Sequence, residues 1–160
     1  MSFAFFHSFF KKEHFFYQDQ ISTMLRSMPG KTQNFNIIDE YALGSTHSNS
    51  NIFKLNNTLI ILDGFIFNSE ELSKMYNIFG TTDAEIILKL YDKFGFQKTI
   101  SLIDGELTIV ILDLKSKVLY LSRDKLGIKP AYYHVGKGFM SMASKPIAIV
   151  KLKNFKTEIN

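Results

Sequence analysis

The order of the predicted elements indicates an α+β fold. A strand and a helix come first, two adjacent helices lie near the middle, and two hairpins occupy the last third of the chain. Antiparallel strands packed against grouped helices form an α+β domain, whereas parallel sheets need helices that alternate with strands. The 160 residues are 46% apolar, which is enough for one substantial core, so we predict a single domain over residues 1–160.

The N-terminal segment is predicted to be a buried strand that starts at Ser2 and continues into an aromatic extension. Residues 1–17 contain seven phenylalanines, but His7 and Ser8 interrupt the apolar run. A membrane-spanning helix needs about 20 predominantly apolar residues, so we predict no membrane segment. The Phe-rich surface is instead a candidate for contact with a partner protein.

Apolar spacing and terminal residues predict three helices before the hairpins. The first spans Gln18–Met28, whose apolar side chains recur on one helical face. Asn68 is placed to cap the second helix, which we expect to stop at Gly80. Thr82 is placed to cap the third, and Gly95 is placed to end it before a further short helix.

Apolar runs bounded by turn residues predict the early strands. The range Phe35–Leu55 contains short apolar pieces joined by a polar loop. The continuous run Thr58–Leu62 has the length of a strand, and Asp63 with Gly64 then predicts a turn or bend.

The last third is predicted to hold two hairpins and a final helix. The hairpins are expected over Leu107–Leu112 with Val118–Ser122, and over Ala131–Val135 with Phe139–Ala143. Ser144, Lys145 and Pro146 are expected to form the cap and first turn of a final helix, with the proline where its missing N–H costs least.

Composition excludes several classes of function. The net charge of +4 comes from lysines spread along the chain, so we expect a solvated surface and no nucleic-acid binding. The absence of cysteine excludes disulfides and thiolate metal sites and suits a cytoplasmic protein. The four histidines lack the paired spacing of a metal site, and no phosphate-binding loop is present. We therefore predict neither a metal nor a cofactor.

Four blocks of sequence follow one another along the chain, at Asp63–Leu72, Thr82–Leu88, Asp104–Asp113 and Arg123–Tyr133. Together and in this order they are similar to the glutaminase domain of asparagine synthetases, which are class II glutamine amidotransferases. The resemblance implies the four-layer αββα sandwich of N-terminal nucleophile hydrolases, in which two antiparallel sheets lie between helices. In that family an ATP-dependent synthetase domain usually follows, and nothing resembling it is present in this chain.

The resemblance places Ser2 where the family has its cysteine nucleophile. A hydroxyl is a poorer nucleophile than a thiol, and Phe3 stands where the family has glycine. Removal of Met1 would leave a free α-amine at Ser2. We expect Ser2 to be a vestigial nucleophile position without catalytic activity.

The resemblance also implies a degraded oxyanion hole. Asp63 replaces the family's asparagine, and a carboxylate accepts hydrogen bonds where an amide donates them. Loss of one such donor typically slows the reaction by about 10²- to 10³-fold. Gly64 is retained, and the conformational needs of the backbone are a sufficient reason for it.

Three further positions of the substrate pocket are expected to be vestigial. His47 falls where an arginine clamps the substrate carboxylate, and imidazole cannot form that bidentate contact. Phe65 replaces a glutamate and is expected to serve packing. Asp83 matches the aspartate that binds the substrate amine, although a carboxylate in the first turn of a helix is stabilised there without any ligand.

These departures predict a domain without independent glutaminase activity. It would act as a scaffold or interaction part of an asparagine-synthetase-like, ATP-dependent amide-forming enzyme, in the manner of β-lactam synthetases and lasso-peptide cyclases, whose glutaminase-like domains lack the cysteine. One alternative is an active amidohydrolase that uses Ser2. Another is a small module that binds a peptide or an amino acid.

Overall fold

The computed structural model describes residues 2–30, 34–47, 52–152 and 155. The contacts within the chain divide it into two units. The terminal unit comprises Met1–Ser48 and Ala131–Asn160, and the central unit comprises Asn49–Pro130. Each unit contains one antiparallel sheet and its own helices.

In chain order, the elements of the described ranges are β1 (Phe3–Ser8), α1 (His14–Arg26), β2 (Asn34–Ile38), β3 (Tyr41–Ser45), β4 (Ile52–Leu55), β5 (Thr58–Ile66), α2 (Ser69–Tyr76), α3 (Asp83–Leu102), β6 (Gly105–Asp113), β7 (Val118–Arg123), β8 (Tyr132–Gly136), β9 (Phe139–Ala143) and α4 (Pro146–Val150). None of the helices in these ranges is both long and apolar enough to cross a membrane. The polar loop predicted after β3 lies partly at residues 48–51, outside the described residues.

Strand β1 lies at the centre of the terminal unit's sheet, whose strand order is β2-β3-β1-β9-β8. It pairs antiparallel with β3 and β9, so that Phe6 lies opposite Ala42 and Ser141. The side chains of Phe3–Phe6 are buried, which confirms the predicted buried strand. One side of the strand contributes to a core shared with α1 and α4, where Phe6 and Ile21 are fully enclosed.

Helix α1 begins at His14 rather than at the predicted Gln18. The rings of Phe16 and Tyr17 pack edge-on against Phe6, with ring centroids 5.8 and 6.4 Å away. Aromatic contacts of this kind stabilise the extra N-terminal turn beyond the area they bury. The predicted start at Gln18 rested on the apolar spacing within Gln18–Met28, which does not depend on these aromatic contacts.

Strand β5 runs unbroken through Asp63 and Gly64, so the predicted turn at these residues is wrong. The central unit's sheet has the order β4-β5-β6-β7, and β6 pairs with β5 along its whole length. Asp63 lies opposite Thr108, and Gly64 lies opposite Leu107. Continuous pairing satisfies the backbone hydrogen bonds of both strands, which outweighs the turn tendency of an Asp-Gly pair.

The two mid-chain helices use their predicted caps differently. Thr82 caps α3 as predicted, because its Oγ1 accepts a hydrogen bond from the Glu85 N–H at 3.2 Å. Asn68 is the N-cap residue of α2, as predicted, but its side chain makes no cap hydrogen bond to the helix. Its Nδ2 donates to the Leu102 carbonyl at 2.9 Å, and its Oδ1 accepts from the Asp104 N–H at 3.0 Å. The amide therefore joins the start of α2 to the residues after α3.

The helix ends follow backbone conformation. Gly80 does not stop α2, which ends at Tyr76 and is followed by Asn77 in the left-handed conformation with φ 51°. Asparagine tolerates this conformation and can replace glycine after a helix. Gly95 has φ 73° and ψ 174° and interrupts α3, which confirms the predicted break.

Both predicted hairpins are confirmed, as β6–β7 and β8–β9. Pro146 lies in the first turn of α4, as predicted, but the residue at the cap is Lys145. The Ser144 Oγ accepts instead from the Phe3 N–H at 2.9 Å. The capping role predicted for Ser144 is therefore wrong, because its hydroxyl bonds the central strand β1 instead of the helix.

One carboxylate organises the turn within the Arg123–Tyr133 segment. Asp124 accepts the Ile128 N–H at Oδ1 and the Lys129 N–H at Oδ2, over 2.9 and 3.0 Å. Burial acts to raise the pKa of the Asp124 carboxyl, but backbone N–H groups of the turn outweigh it and hold the pKa below its ordinary value of 3.8. Gly127 completes the turn with φ 68°.

We expect Asp124→Asn to lower the free energy of unfolding near neutral pH, because an amide oxygen is a weaker acceptor than a carboxylate. A carboxyl with a lowered folded pKa stabilises the fold above its unfolded pKa and loses that contribution as pH falls through the folded value. The difference from wild type should therefore be largest above about pH 5 and shrink below the ordinary value of 3.8. Urea unfolding across this pH range measures it.

Asp92→Asn is the matched control, because Asp92 is an exposed carboxylate on α3. It removes the same charge and should leave the pH dependence of stability close to that of wild type. A deficit in Asp124→Asn that stayed constant from neutral to strongly acidic pH would contradict the role given to this carboxylate.

Candidate functional site

Ser2 directly precedes β1 and is only 4% exposed. Its carbonyl accepts a hydrogen bond from the Thr46 N–H at 3.0 Å. The next residue, Phe3, is buried in the sheet, and its N–H donates to Ser144 Oγ. The residue that resembles the nucleophile is therefore held at its carbonyl, and a bulky ring fills the position after it.

His47 follows β3 and is half-buried. Its carbonyl accepts from Asn34 Nδ2 at 2.6 Å, and its N–H donates to Ser45 Oγ at 3.2 Å. The ring Nδ1 lies 3.1 Å from Thr46 Oγ1, within hydrogen-bond distance. Because Thr46 also binds the Ser2 carbonyl, the terminal unit brings His47 and Ser2 to the same end of neighbouring strands.

Asp63 is a buried carboxylate in the middle of the central unit's sheet, with 2% of its side chain exposed. The Lys129 ammonium lies 4.0 Å from its Oδ1. A buried carboxylate is costly unless an opposite charge and hydrogen bonds compensate for lost solvation. Lys129 supplies the charge, and it is a residue for which the sequence predicted no role beyond its place in the Arg123–Tyr133 block.

Lys129 is held in place through its backbone. Its N–H donates to Asp124 at 3.0 Å, and its carbonyl accepts from Thr108 Oγ1 at 2.9 Å. Thr108 lies directly opposite Asp63 in the sheet. The turn held by Asp124 and the pairing of β5 with β6 therefore place Lys129 beside the Asp63 carboxylate.

Gly64 has φ 126°, a conformation that favours glycine. A Cβ at this position would collide with the Glu106 carbonyl oxygen and lie 2.8 Å from the Leu107 Cα. The glycine is thus required by backbone conformation, as expected, and also by the close approach of β6, which the sequence did not indicate. This requirement arises within a strand rather than in a turn.

Phe65 and Phe67 project outward at the end of β5, while Ile66 between them is buried. Phe65 is 45% exposed, and its ring contacts Phe67 with centroids 5.3 Å apart. Phe65 therefore packs against Phe67, a ring that is itself 58% exposed.

Asp83 lies in the first turn of α3, and its Oδ2 accepts the Ile66 N–H at 3.0 Å. The carboxylate therefore ties the helix to the end of β5, immediately after Phe65. It has a structural role in addition to the helix-dipole effect that its position predicted.

The central unit therefore gathers Asp63, Gly64, Phe65 and Asp83 around one end of β5, together with Lys129. A carboxylate accepts hydrogen bonds and does not donate them, so the Asp63 side chain presents an acceptor at this point of β5. Across the described ranges, no group of three or more histidine, aspartate or glutamate side chains is placed to hold a metal ion.

Residues 37–160 match a family model described as a glutamine amidotransferase domain. The glutamine-hydrolysing asparagine synthetases of Rattus norvegicus and Mus musculus are each 36% identical to this chain over 98 residues, which cover 59% of it and 18% of the relative. A Methanocaldococcus jannaschii relative is 40% identical over 106 residues, covering 64% of this chain and 20% of that protein. The chain thus spans about a fifth of the length of these relatives.

Among solved structures, the glutamine phosphoribosylpyrophosphate (PRPP) amidotransferase of B. subtilis, complexed with ADP and GMP, matches with a TM-score of 0.68 at 12% identity. The match covers 93% of this chain and 43% of the other. At this identity the similarity concerns the fold alone. It confirms the predicted α+β fold class with two antiparallel sheets and helices.

We expect Gly64→Ala to lower the free energy of unfolding by about 3 kcal/mol or more, because the added Cβ meets backbone atoms of β6 and the φ is strained. Gly95→Ala is the matched control. Gly95 also has a positive φ, but a Cβ added there would have no neighbouring atom within 4 Å, so only the conformational cost of about 1–3 kcal/mol applies. Urea unfolding of both variants measures the difference, and equal losses would contradict the steric argument.

A double-mutant cycle tests the pairing of Asp63 with Lys129. Lys129→Met should lower the free energy of unfolding by about 1–3 kcal/mol in wild type, because it leaves the buried carboxylate without its cation. In an Asp63→Asn background the same substitution should cost at least about 1 kcal/mol less. Urea unfolding of the four proteins gives the coupling energy.

Lys125→Met, in the same turn, serves as the control because Lys125 is exposed and lies outside the ion pairs of the described residues. It should change stability by less than about 0.5 kcal/mol. Additive effects of Asp63→Asn and Lys129→Met would show that the two side chains do not interact.

Proposed function

This chain belongs to the glutamine amidotransferase domain family, and from that premise we propose that it is a catalytically degenerate member. It serves as the scaffold or interaction part of an asparagine-synthetase-like, ATP-dependent amide-forming enzyme. In this proposal residues 1–160 form one domain, and the synthetase activity resides in a separate domain or subunit.

The observation that carries the proposal is the buried carboxylate of Asp63 beside Lys129. In the family pattern this position holds an asparagine whose amide donates to the oxyanion. An acceptor at that point removes a donor that is typically worth about 10²- to 10³-fold in rate. The positive charge of the Lys129 ammonium offsets the negative charge of Asp63, which lowers the cost of burying this carboxylate in the folded protein.

The nucleophile position supports the same proposal. The sequence contains no cysteine, and Ser2 is buried, with its carbonyl bound by Thr46. A hydroxyl needs an activating base to attack an amide, whereas a thiol is partly ionised near neutral pH. His47 also lacks the guanidinium fork that would hold a substrate carboxylate.

An interaction role is supported by the exposed aromatic side chains near the N-terminus. Phe9, Phe10 and Phe15 are 46%, 64% and 74% exposed. Exposed apolar side chains close together in sequence are typical of surfaces that contact another protein. We propose that they contribute to contact with the synthetase partner, and that the cysteine-free chain acts in the cytoplasm.

The test of lost catalysis is ammonia release from glutamine by the purified protein, after intact mass has shown whether Met1 is removed. We expect no release above the buffer rate, and no difference between wild type and Ser2→Ala. An active glutamine amidotransferase in the same assay shows that ammonia is detectable.

Ser8→Ala is the control substitution, since Ser8 is also a buried serine of β1. Glutamine-dependent ammonia release that persists in Ser8→Ala and disappears in Ser2→Ala would establish the Ser2-dependent hydrolase instead. The scaffold role has its own test, in which removal of this domain should abolish stable assembly or amide formation by the ATP-dependent partner.

A further inference from the structure

A cavity of about 370 Å³ in the central unit has no role in the proposed function. Its apolar lining comes from the residue after β5, from the end of α3, from the start of β6 and from the turn after β7. The apolar side chains are those of Phe67, Ile100, Ile103, Leu107, Leu126 and Ile128. The volume and the apolar lining are typical of a site for a small organic molecule. Leu126 is 85% exposed and Phe67 is 58% exposed, so the lining is reachable from solvent.

Five charged side chains also line this cavity, three acidic and two basic. Asp104 and Glu106 carry negative charge, and Arg123 and Lys125 carry positive charge. Within the described residues, none of the four forms an ion pair or donates or accepts a side-chain hydrogen bond. A fifth charged residue, Asp124, is already engaged, because both of its carboxylate oxygens accept backbone N–H groups.

The guanidinium of Arg123 lies against the backbone of Gly127. Gly127 leaves the space that the Arg123 guanidinium occupies, since a Cβ at Gly127 would lie 2.8 Å from Nη2. A guanidinium is the side chain best suited to bind a carboxylate through two parallel hydrogen bonds. Carboxylates such as those of Asp104 and Glu106 are the natural partners of an ammonium group.

The balance of charges selects the kind of ligand. A simple anion would gain from the two cations but would be repelled by the three carboxylates, and a simple cation would be repelled by the two cations. A neutral apolar molecule would fill the apolar lining but would gain nothing from the charged groups beside it. A zwitterion with an apolar body satisfies both pairs of charges and fills the apolar lining.

We infer that this cavity binds a free α-amino acid with a large apolar side chain, its carboxylate at Arg123 and its ammonium at the acidic side chains. The site needs neither glutaminase chemistry nor a synthetase partner. Failure of the proposed function would leave it intact, and loss of this site would leave the proposed function untouched.

The test is a titration of the full chain followed by amide chemical shifts in NMR spectra. L-Phenylalanine should give saturable shifts that map to residues 103–107 and 122–128. Three probes each lack one feature: 3-phenylpropanoate lacks the ammonium, 2-phenylethylamine lacks the carboxylate, and L-glutamine lacks the apolar side chain. Each should bind about tenfold or more weakly than L-phenylalanine, since a charge-assisted hydrogen bond or a buried ring is worth at least that factor.

Arg123→Gln should weaken binding of L-phenylalanine about tenfold, whereas Lys98→Gln, an exposed substitution on α3 outside the cavity, should not change it. Glu106→Gln provides a second test from the acidic side, should Arg123→Gln fail to fold. Equal affinity for 3-phenylpropanoate or 2-phenylethylamine would overturn the zwitterion assignment. Shifts that do not saturate by about 10 mM, or that map elsewhere, would overturn the site.

Discussion

The close approach of β5 and β6 is the constraint on which the central unit depends. Gly64 and Gly105 lie on these neighbouring strands, and a Cβ at either position would meet the backbone of the opposite strand. The two glycines permit the register that sets Asp63 opposite Thr108. Because Thr108 Oγ1 also holds the Lys129 carbonyl, this register brings the lysine to the buried carboxylate. A steric requirement of the backbone thereby positions a charged pair.

Polar residues that match the family pattern have structural roles in this chain. Asp83 accepts the Ile66 N–H and ties α3 to β5, and Asp124 accepts two N–H groups of the turn that carries Lys129. Hydrogen bonds of this kind stabilise the fold whether or not the domain binds a substrate. Retention of a motif residue is therefore weak support for chemistry, and function has to be argued from the complete site.

Elements with local determinants were predicted well. The Thr82 cap bonds Glu85, three residues away, and the break at Gly95 needs only the conformational freedom of glycine. Asn68 and Ser144 also lie beside helices in sequence, yet they bond groups that are 34 and 141 residues away, respectively. The same residue types thus serve either purpose, and a distant partner that is invisible in a local pattern decides between them.

Some features of the candidate site also follow from local sequence, whereas others depend on contacts between distant residues. The amino-acid sequence by itself determined the α+β order of elements, the family blocks, the absent thiol and the carboxylate at position 63, since these depend on residue type and near neighbours. Only the tertiary structure decided that Asp63 lies in an unbroken strand beside Lys129. It also decided that four charged side chains without ion pairs among the described residues line a cavity together with apolar side chains. These features depend on strand pairing and turn placement between distant segments, because burial and charge proximity are properties of the folded chain.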